Sequence, residues 1–417
     1  MLHFTSLRQW LDWQTSLHPR EIELGLTRCR TVAQGLNLLP PQFPVISVAG
    51  TNGKGSSVVL LDAILSAAGY RIGRFTSPHL LRYNERICVA GHEVDDAEIC
   101  QAFSLIEEVR EDISLTFFEF STLAALLIFQ HNNVDLAVLE VGLGGRLDAV
   151  NIVDPKIALV TAIDIDHVEW LGHDRESIGF EKAGIFRAAC PAVCSDTQPP
   201  QSVIKHAEQL QAPLYCLDRD FAYQKSGDQT WNWQSMSQTQ QRLPLPNLPG
   251  EFQLQNAAGV LMVLELLNVP KTAIHQGLIN ATLPGRFQVL PGRVTRILDV
   301  AHNPLGARVL AHLLKQLPCQ GETHAVVGML KDKDIATVLA IMQEVIQHWH
   351  VAPLNTPRSA STQSLVEHLT AIGASRIHSY PSIAAAYAQL LLLAQKGDKI
   401  VIFGSFYTVS EILQIDK

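Results

Sequence analysis

Residues 43–69 contain the feature that most limits how this chain can fold, because a short apolar run, a glycine-rich turn and a long apolar segment follow one another directly. The run FPVISVAG has the β-branched character of a buried strand, and SSVVLLDAILSAAGY predicts a helix that ends at Gly69. The turn between them, GTNGKGS, places three glycines and Lys54 at the start of this helix. Such a turn directs backbone amides and a helix dipole at an anion, so it is predicted to bind phosphate.

The spacing of this turn differs from the usual phosphate-binding loop, G-x-x-x-x-G-K-[ST]. Val48 stands where that pattern has its first glycine, and Gly55 stands where a Ser or Thr should follow the lysine. Ser56 or Ser57 would then supply the hydroxyl for a Mg²⁺ ion that accompanies ATP. The alternative is a turn whose glycines serve close packing only. The lysine within the turn favours phosphate binding.

From residue 43 onward, strand-like and helix-like segments alternate, which predicts parallel sheets covered by helices on both faces. The alternation breaks at residues 221–249, where FAYQKSGDQTWNWQSM predicts a hairpin and SQTQQRLPLPNLPG predicts a polar surface loop. A second alternation begins near Gly285. Because 417 residues are too many for one hydrophobic core, we expect two α/β domains, residues 1–284 and a smaller one at 285–417.

Composition limits the partners and the compartment. The net charge is −8 without a dense Lys/Arg run, which argues against a nucleic-acid partner. The longest apolar runs, such as LAALLIF, are too short to span a membrane. Seven scattered cysteines favour buried free thiols in a reducing compartment, and CPAVC lacks a second Cys/His pair for zinc. The first residues lack the apolar core of a signal peptide, so we expect a cytoplasmic protein.

Polar side chains mark the ends of other predicted strands. Glu140 interrupts an apolar strand just before a glycine-rich turn, where an acid in a P-loop protein is placed to hold Mg²⁺. A structural ion pair is the alternative. Asp164 ends the strand KIALVTAID, and Asp166 and His167 follow it. This histidine either binds a second cation or is structural.

The segment FTSPHLLRYNERI follows a further strand and adds Ser77 and His79 as metal or phosphate candidates. Arg82 and Arg86 in this segment are candidates for anion binding, and a loop with solvated arginines is equally consistent with the sequence. In the second domain, Asp299, His302 and Asn303 form a polar cluster between a strand and a helix. Arg286 lies in the connector before them.

Lys182 lies in GFEKAGIFR among apolar residues. If it is buried, its pKa falls and its neutral amine becomes nucleophilic. The alternative is a lysine on a helix surface that pairs with Glu181 or with a phosphate, and the residues alone favour this second interpretation.

Nine segments together resemble the folylpolyglutamate synthase family, which includes bacterial bifunctional dihydrofolate synthases and lies within the Mur-ligase superfamily. In chain order they are GTNGKGS, TSPHLLRYNERI, FEFSTLAAL, LEVGLGGRLDAVN, DHVEWLG, EKAGIFR, PGRFQ, LDVAHNP and FGSFYTVSEIL. The resemblance covers essentially the whole chain, and the glycine after Lys54 is similar to that superfamily's own version of the loop. It implies a P-loop NTPase-like, mostly parallel domain with the pterin site, plus a smaller Rossmann-like C-terminal domain.

The resemblance further implies a monomeric, ATP-dependent ligase that joins L-glutamate to dihydropteroate and to reduced folates. The ATP contacts implied by it are Gly50, Thr51, Asn52, Gly53, Lys54, Gly55, Ser56, Asn256, Arg286 and Asp299. Two Mg²⁺ ions would be held by Ser56, Ser77, Glu140, His167 and Lys182, the last as a carbamate formed with CO₂. The pterin pocket would involve Leu24, Gly25, Leu26, Phe118, Leu147, Asp148 and Ala149. On the glutamate side the implied residues are Ser405 and His302. The implied catalytic residues are Lys54, Lys182 and His302.

Two other functions compete with this one. A cell-wall ligase of the same superfamily carries an extra domain before the P-loop, and the 49 residues that precede Gly50 are too few for it. A P-loop switch or transport ATPase would hydrolyse nucleotide without an amino-acid acceptor, and would lack the Asp299–Asn303 cluster and Arg286.

Overall fold

The computed structural model of the chain describes residues 4–416. They form two compact units, one of residues 4–247 and Gln253–Thr282, the other of Leu248–Phe252 and residues 283–416. Among the described helices, none has the length and apolar character needed to cross a membrane. All seven cysteines are free; several are buried as expected, whereas Cys319 is exposed.

The first unit is built on an eight-stranded sheet with the order β4-β3-β2-β5-β1-β6-β7-β8. Its strands are β1 (Val45–Ala49), β2 (Ile72–Phe75), β3 (Ile87–Val89), β4 (His92–Glu93), β5 (Leu136–Glu140), β6 (Ile157–Val160), β7 (Ala192–Cys194) and β8 (Leu214–Cys216). The run from β2 to β8 is parallel, and β3 and β4 add an antiparallel edge. The mostly parallel sheet predicted from the sequence is therefore confirmed.

Ten helices accompany this sheet in the first unit, together with short 3₁₀ turns at Tyr83–Arg86 and Ala149–Ile152. The helices are α1 (Leu7–Leu17), α2 (Thr27–Gly35), α3 (Lys54–Ala67), α4 (Asp96–Arg110), α5 (Phe117–His131), α6 (Val168–Leu171), α7 (Arg175–Ala183), α8 (Gln201–Leu210), α9 (Phe252–Leu266) and α10 (Lys271–Asn280). Side-chain caps fix where two of them begin: Asp95 accepts a hydrogen bond from Glu98 N, and Thr116 forms a capping box with Glu119.

The centre of the sheet determines where the first unit can bind a ligand. Strand β1 is buried along its whole length and lies between β5 and β6. Apolar residues occupy both of its faces because helices cover both sides of a parallel sheet. The turn from β1 to α3 consequently lies at the carboxyl edge, beside the ends of β5 and β6, where ligands of open α/β sheets bind.

A small antiparallel sheet interrupts the first unit. It contains β9 (Phe221–Lys225), β10 (Thr230–Ser235) and β11 (Thr239–Pro244), in the order β11-β10-β9. The predicted hairpin corresponds to β9 and β10, but the prediction of a surface loop at 237–250 was wrong for β11. That strand has mainly polar side chains and pairs with β10 through its backbone, with a register shift between Trp231 and Trp233.

The second unit contains a six-stranded sheet with the order β12-β13-β17-β14-β15-β16. Its strands are β12 (Gln288–Leu290), β13 (Thr295–Leu298), β14 (Thr323–Val327), β15 (His348–Val351), β16 (Ile377–Ser379) and β17 (Lys399–Phe403). Its helices are α11 (Pro304–Gln316), α12 (Ile335–Met342), α13 (Thr362–Ala371), α14 (Ile383–Leu393) and α15 (Phe406–Ile415). All neighbouring pairs are parallel except β12 with β13, in agreement with the predicted Rossmann-like domain.

Candidate active site

The turn between β1 and α3 needs glycine at two positions. Gly50 and Gly53 both have positive φ angles, of 151° and 93°. A Cβ atom on Gly50 would overlap the Thr161 hydroxyl, and one on Gly53 would overlap the Asn256 amide oxygen. The Lys54 amine lies 3.0 Å from Gly50 O and 3.3 Å from Thr51 O. The turn therefore curls around its own lysine at the N-terminus of α3, as expected of a phosphate cradle.

Neighbouring elements hold this turn in shape. Thr51 N and Oγ1 donate to the carbonyls of Ala162 (2.8 Å) and Asp164 (2.9 Å), which follow β6. Thr161 Oγ1 donates to Asn52 O at 2.8 Å. These bonds join the turn to the end of β6 and help to hold its shape.

Helix α9 supplies a second wall of the cradle. Asn256 lies against Gly53 and donates from Nδ2 to Gln253 Oε1 at 2.9 Å. Gln253 Nε2 in turn donates to Ser56 Oγ at 3.2 Å. The structure thus brings together three of the predicted nucleotide-site residues, although Ser56 and Asn256 are far apart in sequence.

The predicted Mg²⁺ ligands follow strands that lie side by side. Glu140 ends β5 and is buried, and its Oε2 accepts a hydrogen bond from Ser77 N, which follows β2, at 3.2 Å. His167 follows β6 in a left-handed conformation, and its amide donates to Asp166 Oδ1 at 2.8 Å. Hydroxyl, carboxylate and imidazole groups thus lie at the carboxyl edge of the sheet. The buried Ser57 hydroxyl has no hydrogen-bond partner within residues 4–416. This donor set suits a divalent cation held beside a phosphate.

Lys182 on α7 is buried, with 3% of its surface exposed. Burial, and after it the nearby charge of Lys54, lower the pKa of its amine from 10.5 to about 7, while Asp166 and Asp148 oppose this shift. Glu181 pairs instead with Arg146, at 2.8 Å. The interpretation of Lys182 as a surface lysine paired with Glu181 was therefore wrong.

The residues assigned to the pterin pocket fall into two places in the first unit. Gly25 N donates to Leu147 O at 3.1 Å, which joins residues 24–26 to residues 147–149. The Phe118 ring packs where a Cβ on Gly142 would lie, and it is 5.8 Å from the Phe75 ring. Both places border the glycine-rich turn that follows β5.

Asp148 has a structural task in this turn. Its carboxylate is buried and accepts hydrogen bonds from Leu143 N at 2.8 Å and Val150 N at 3.0 Å. Burial raises the pKa of this group to about 6, although those amides and Lys54 favour the charged form. Its contact with a pterin stays a prediction.

Side chains within the segment from Phe75 to Ile87 make several of the contacts that hold it. Glu85 accepts hydrogen bonds from three successive amides, those of Leu80, Leu81 and Arg82. Arg86 is buried, donates from Nε to His79 Nδ1 at 2.8 Å, and lies over the Phe117 ring. This arrangement gives Arg86 a role in folding the loop and does not favour it as an anion ligand.

In the second unit, the predicted residues meet at the carboxyl ends of β13 and β17, which are adjacent strands. Asp299 accepts hydrogen bonds from Phe287 N at 2.8 Å and Ala301 N at 2.7 Å, and burial raises the pKa of its carboxyl although Arg286 opposes this. Arg286 and His302 both face the Phe406 ring, at 5.5 and 6.2 Å. Ser405 is buried and caps α15.

A cavity of about 430 Å³ lies at the carboxyl side of β14 in the same unit. Lys331 and Lys333 line it, together with residues at the N-termini of α12 and α13. Lysine amines attract anions, so the two lysines make the cavity a candidate site for a carboxylate or phosphate. Both helix N-termini are already capped, α12 by Asp334, which also lines the cavity, and α13 by Ser361. This cavity was not predicted, since the two lysines of the KDKD run are its only local indication in the sequence.

Comparisons with known proteins are consistent with this geometry. Residues 48–264 match the family model of the Mur ligase middle domain, and residues 285–406 match that of the Mur ligase glutamate ligase domain. A dihydrofolate synthase/folylpolyglutamate synthase of Escherichia coli is 43% identical over 98% of this chain and 95% of its own length. One from Haemophilus influenzae is 40% identical, over 97% and 96%. The chain belongs to the dihydrofolate synthase/folylpolyglutamate synthase family.

Solved structures of this family have the same fold. The E. coli FolC protein in complex with DHPP and ADP superposes with a TM-score of 0.94, at 42% identity, covering 99% of this chain and 98% of that one. A bifunctional folylpolyglutamate synthase/dihydrofolate synthase with Mn, AMPPNP and L-glutamate bound gives a TM-score of 0.92 at 46% identity, with the same coverage. These relatives bind nucleotide, a divalent metal and glutamate, which are the ligand classes expected from the resemblance.

Three residues of the candidate site were not predicted from the sequence: Thr161, Gln253 and Phe406. Gln253 precedes Asn256 by three positions on α9, a spacing that places both on one helix face and could have indicated it. Thr161 and Phe406 carry no such local signal, because only the sheet brings them to the turns that they contact.

Proposed function

We propose that the chain is an ATP-dependent ligase that attaches L-glutamate to the carboxylate of dihydropteroate and of reduced folates. The observation that carries this proposal is the buried Lys182 amine, which lies within electrostatic reach of Lys54 and Asp166 at the phosphate-binding turn. A P-loop switch has no need of a second, desolvated lysine there. Membership of the family supports the acceptor and the amino acid.

A carboxylate is a poor electrophile and must be activated before an amine attacks it. In the proposed reaction its oxygen takes the γ-phosphoryl group of ATP, which yields an acyl phosphate and ADP. The glutamate amine then attacks the acyl carbon, the C–O bond breaks, and inorganic phosphate and a proton leave. Lys54 and the amides of residues 53–56 stabilise the charge on the transferring phosphoryl group, so no protein nucleophile is required.

Divalent cations would be held by Ser56, Ser77, Glu140 and His167, where they neutralise phosphate charge and polarise the transferring group. Lys182 completes this set if its neutral amine adds CO₂ and loses a proton, because the resulting carbamate is an anionic oxygen ligand. The pKa of about 7 supports this reaction, since much of the amine is then uncharged at neutral pH. The buried surroundings exclude the water that would otherwise hydrate the ammonium form.

For the pterin we propose the surface bordered by residues 24–26, Phe118 and residues 147–149. The support is local: Gly25 is bonded to Leu147, and the Phe118 ring lies beside the glycine turn after β5. An aromatic ring beside a glycine-rich turn suits the stacking of a flat heterocycle.

On the glutamate side we propose His302 as the group that accepts the amine proton. His302 Nδ1 lies 2.8 Å from Val300 O. A carbonyl can only accept, so Nδ1 carries the hydrogen and Nε2 is the basic nitrogen of the neutral ring. We propose that one of the two carboxylates of glutamate binds in the cavity lined by Lys331 and Lys333. This cavity lies at the same sheet edge as Ser405. Nucleotide contacts by Arg286 and Asp299 stay predictions of the family resemblance.

The decisive experiment measures phosphate release from ATP with the two substrates added separately and together. Rapid release is expected only with both L-glutamate and a pteroate-type carboxylate, and the product should contain an amide-linked glutamate. Hydroxylamine should trap the acyl phosphate when glutamate is withheld. Dihydropteroate and a tetrahydrofolate are assayed in parallel, because only this comparison decides whether both acceptors are used.

Two outcomes would contradict the proposal in different ways. Nucleotide turnover that is indifferent to both substrates would favour the switch-like ATPase. If turnover needs glutamate but hydroxylamine yields no hydroxamate, the proposed ligase activity stands and the proposed acyl-phosphate intermediate is wrong. A Lys331→Ala, Lys333→Ala double variant tests the cavity: KM for glutamate should rise about 10-fold or more, as expected for loss of charged hydrogen bonds, while KM for ATP stays the same.

A further inference from the structure

Histidines and acids cluster at the amino ends of β14 and β15, the sheet edge opposite to the one that carries Asp299 and Ser405. Glu322 precedes β14, His324 lies at its second position, and His348 begins β15 opposite it. Within residues 4–416, these three are the one group of His, Cys, Asp or Glu side chains whose ligand atoms all lie within 4.8 Å of one another. His348 Nε2 is 2.7 Å from Glu322 Oε2.

Further side chains surround this group and orient it. His324 Nδ1 lies 3.4 Å from His350 Nε2, and His350 Nδ1 lies 3.1 Å from Tyr380 Oη. The Asp398 carboxylate is 3.5 Å from His324 Nε2. Such outer contacts fix the tautomer and direction of a metal-binding histidine.

One protein cation already touches the group. Arg376 Nη1 bonds to the Glu322 carboxylate and lies 3.0 Å from His348 Nε2. A guanidinium can only donate, so when Nε2 donates to Glu322 it cannot also accept from Arg376. Arg376 is then held by the Glu322 carboxylate, and it occupies the place beside this nitrogen and carboxylate that a metal ion would take. The Arg376 side chain is 53% exposed and has room to leave.

We propose that Glu322, His324 and His348 form a binding site for a divalent transition-metal ion such as Zn²⁺, with Asp398 as a further oxygen ligand. Two imidazoles and a carboxylate are a usual ligand set for Zn²⁺, whereas Mg²⁺ prefers oxygen alone. The His324 and His348 rings are stacked 4.4 Å apart at 17°. Since stacked rings direct their nitrogens in parallel, binding requires one ring to turn about its side-chain torsions.

The position of this site defines its effect. The ion would link the start of β14 to the start of β15, next to β16, and leave the carboxyl edge of the sheet untouched. The proposed ion would therefore stabilise the second unit, and its site is separate from that of the Mg²⁺ ions that accompany ATP. An ion that binds the folded state alone stabilises it by mass action.

The test uses untagged, full-length protein with excess Mg²⁺ to fill oxygen-only sites. After equilibrium dialysis against micromolar Zn²⁺, wild type should retain about one Zn²⁺ more per chain than His348→Ala or His324→Ala. Co²⁺ in place of Zn²⁺ should give the intense visible absorption of a four-coordinate site. His378→Ala is the matched control, because this exposed ring stacks on His350 but is not a proposed ligand. Equal zinc in wild type and both ligand variants would overturn the proposal.

Two further variants separate the site from its competitors. Cys319→Ser tests the exposed thiol nearby, since thiolate-bound Co²⁺ has a charge-transfer band in the near ultraviolet that imidazole lacks. Persistence of zinc binding in Cys319→Ser supports the histidine site, and its loss overturns it. Arg376→Gln removes the competing cation, so zinc affinity should rise several-fold. Unchanged or weaker zinc binding in Arg376→Gln would contradict the proposal that the guanidinium occupies the place of the metal ion.

Discussion

Each unit has a strand-to-helix turn at the carboxyl edge of its sheet, and the two turns are built in opposite ways. In the first unit, the N-cap of α3 is Gly53, which has no side chain to satisfy the first amides of the helix. In the second, the N-cap of α11 is Asn303, which accepts a hydrogen bond from Gly306 N at 2.8 Å, and proline occupies the start of the helix. Asp299 accepts two further hydrogen bonds, one from Ala301 N in this turn and one from Phe287 N in the connector before β12.

The difference separates two kinds of chemistry. Helix amides without a side-chain cap, beside a lysine, are donors for a phosphate, because four N–H groups at a helix start lack intrahelical partners. Where Asn303 and Asp299 already accept from backbone amides, the turn is stable without an anion and presents His302 instead. The first turn is thus suited to bind ATP, and the second to orient a polar side chain.

Replacing the lysine of the first turn should have the largest effect. We expect Lys54→Ala to lower kcat about 10²–10³-fold or more (about 2.7–4 kcal/mol), since removing one preorganised electrostatic group typically has this cost. Steady-state phosphate release with both substrates measures it. Lys205→Ala, at an exposed position on α8, is the control. Activity within a few-fold of wild type would exclude the turn from the mechanism.

The buried lysine predicts a pH effect on stability. Its folded pKa of about 7 is below its ordinary value of 10.5, so between these values the unfolded chain binds more protons. Stability should therefore rise with pH from about 7 to 10.5 in wild type relative to Lys182→Met. The full shift corresponds to about 5 kcal/mol, and we expect about half, because water penetration relaxes buried charges. Denaturant unfolding in CO₂-free buffer measures it.

The carbamate requires a separate measurement on the same variant pair. With ¹³C-bicarbonate and nucleotide, wild type should show a carbamate resonance that Lys182→Met lacks. The resonance should grow between pH 6 and 8 as the amine loses its proton. A pH-independent difference in stability together with no resonance would return Lys182 to a purely structural role.

The sequence allowed the first turn to be predicted because its signal is local: strand, glycines, lysine and helix are contiguous. The burial of Lys182 could not be predicted in this way, since it depends on which neighbours the fold brings to α7. Strand β11 was missed because its polar residues form a strand through backbone pairing with β10. His324 and His348 are likewise joined only by the pairing of β14 with β15.

A comparison of two glycines of similar conformation tests the contact between Gly53 and Asn256 in the first turn. Gly53 and Gly69 bound α3 with φ of 93° and 92°, but only Gly53 has Asn256 where a Cβ would lie, whereas Gly69 has open space. We expect Gly69→Ala to cost about 1 kcal/mol of stability and Gly53→Ala about 2 kcal/mol. Gly53→Ala alone should also weaken ATP binding. Equal losses in both properties would show that Asn256 moves aside freely.

The smallest effect is expected at the cap of the second turn. Asn303→Ala removes the acceptor for Gly306 N and should lower the free energy of unfolding by about 1 kcal/mol, as is usual for an N-cap. Asn303→Ser keeps an oxygen at the cap and should cost only a few tenths of a kcal/mol. Urea unfolding, monitored by tryptophan fluorescence because Trp349 lies in the core of this unit, measures both. If the serine variant lost as much stability as the alanine variant, the side-chain cap would not be what stabilises this turn. The difference between the two turns would then depend only on the glycines of the turn between β1 and α3.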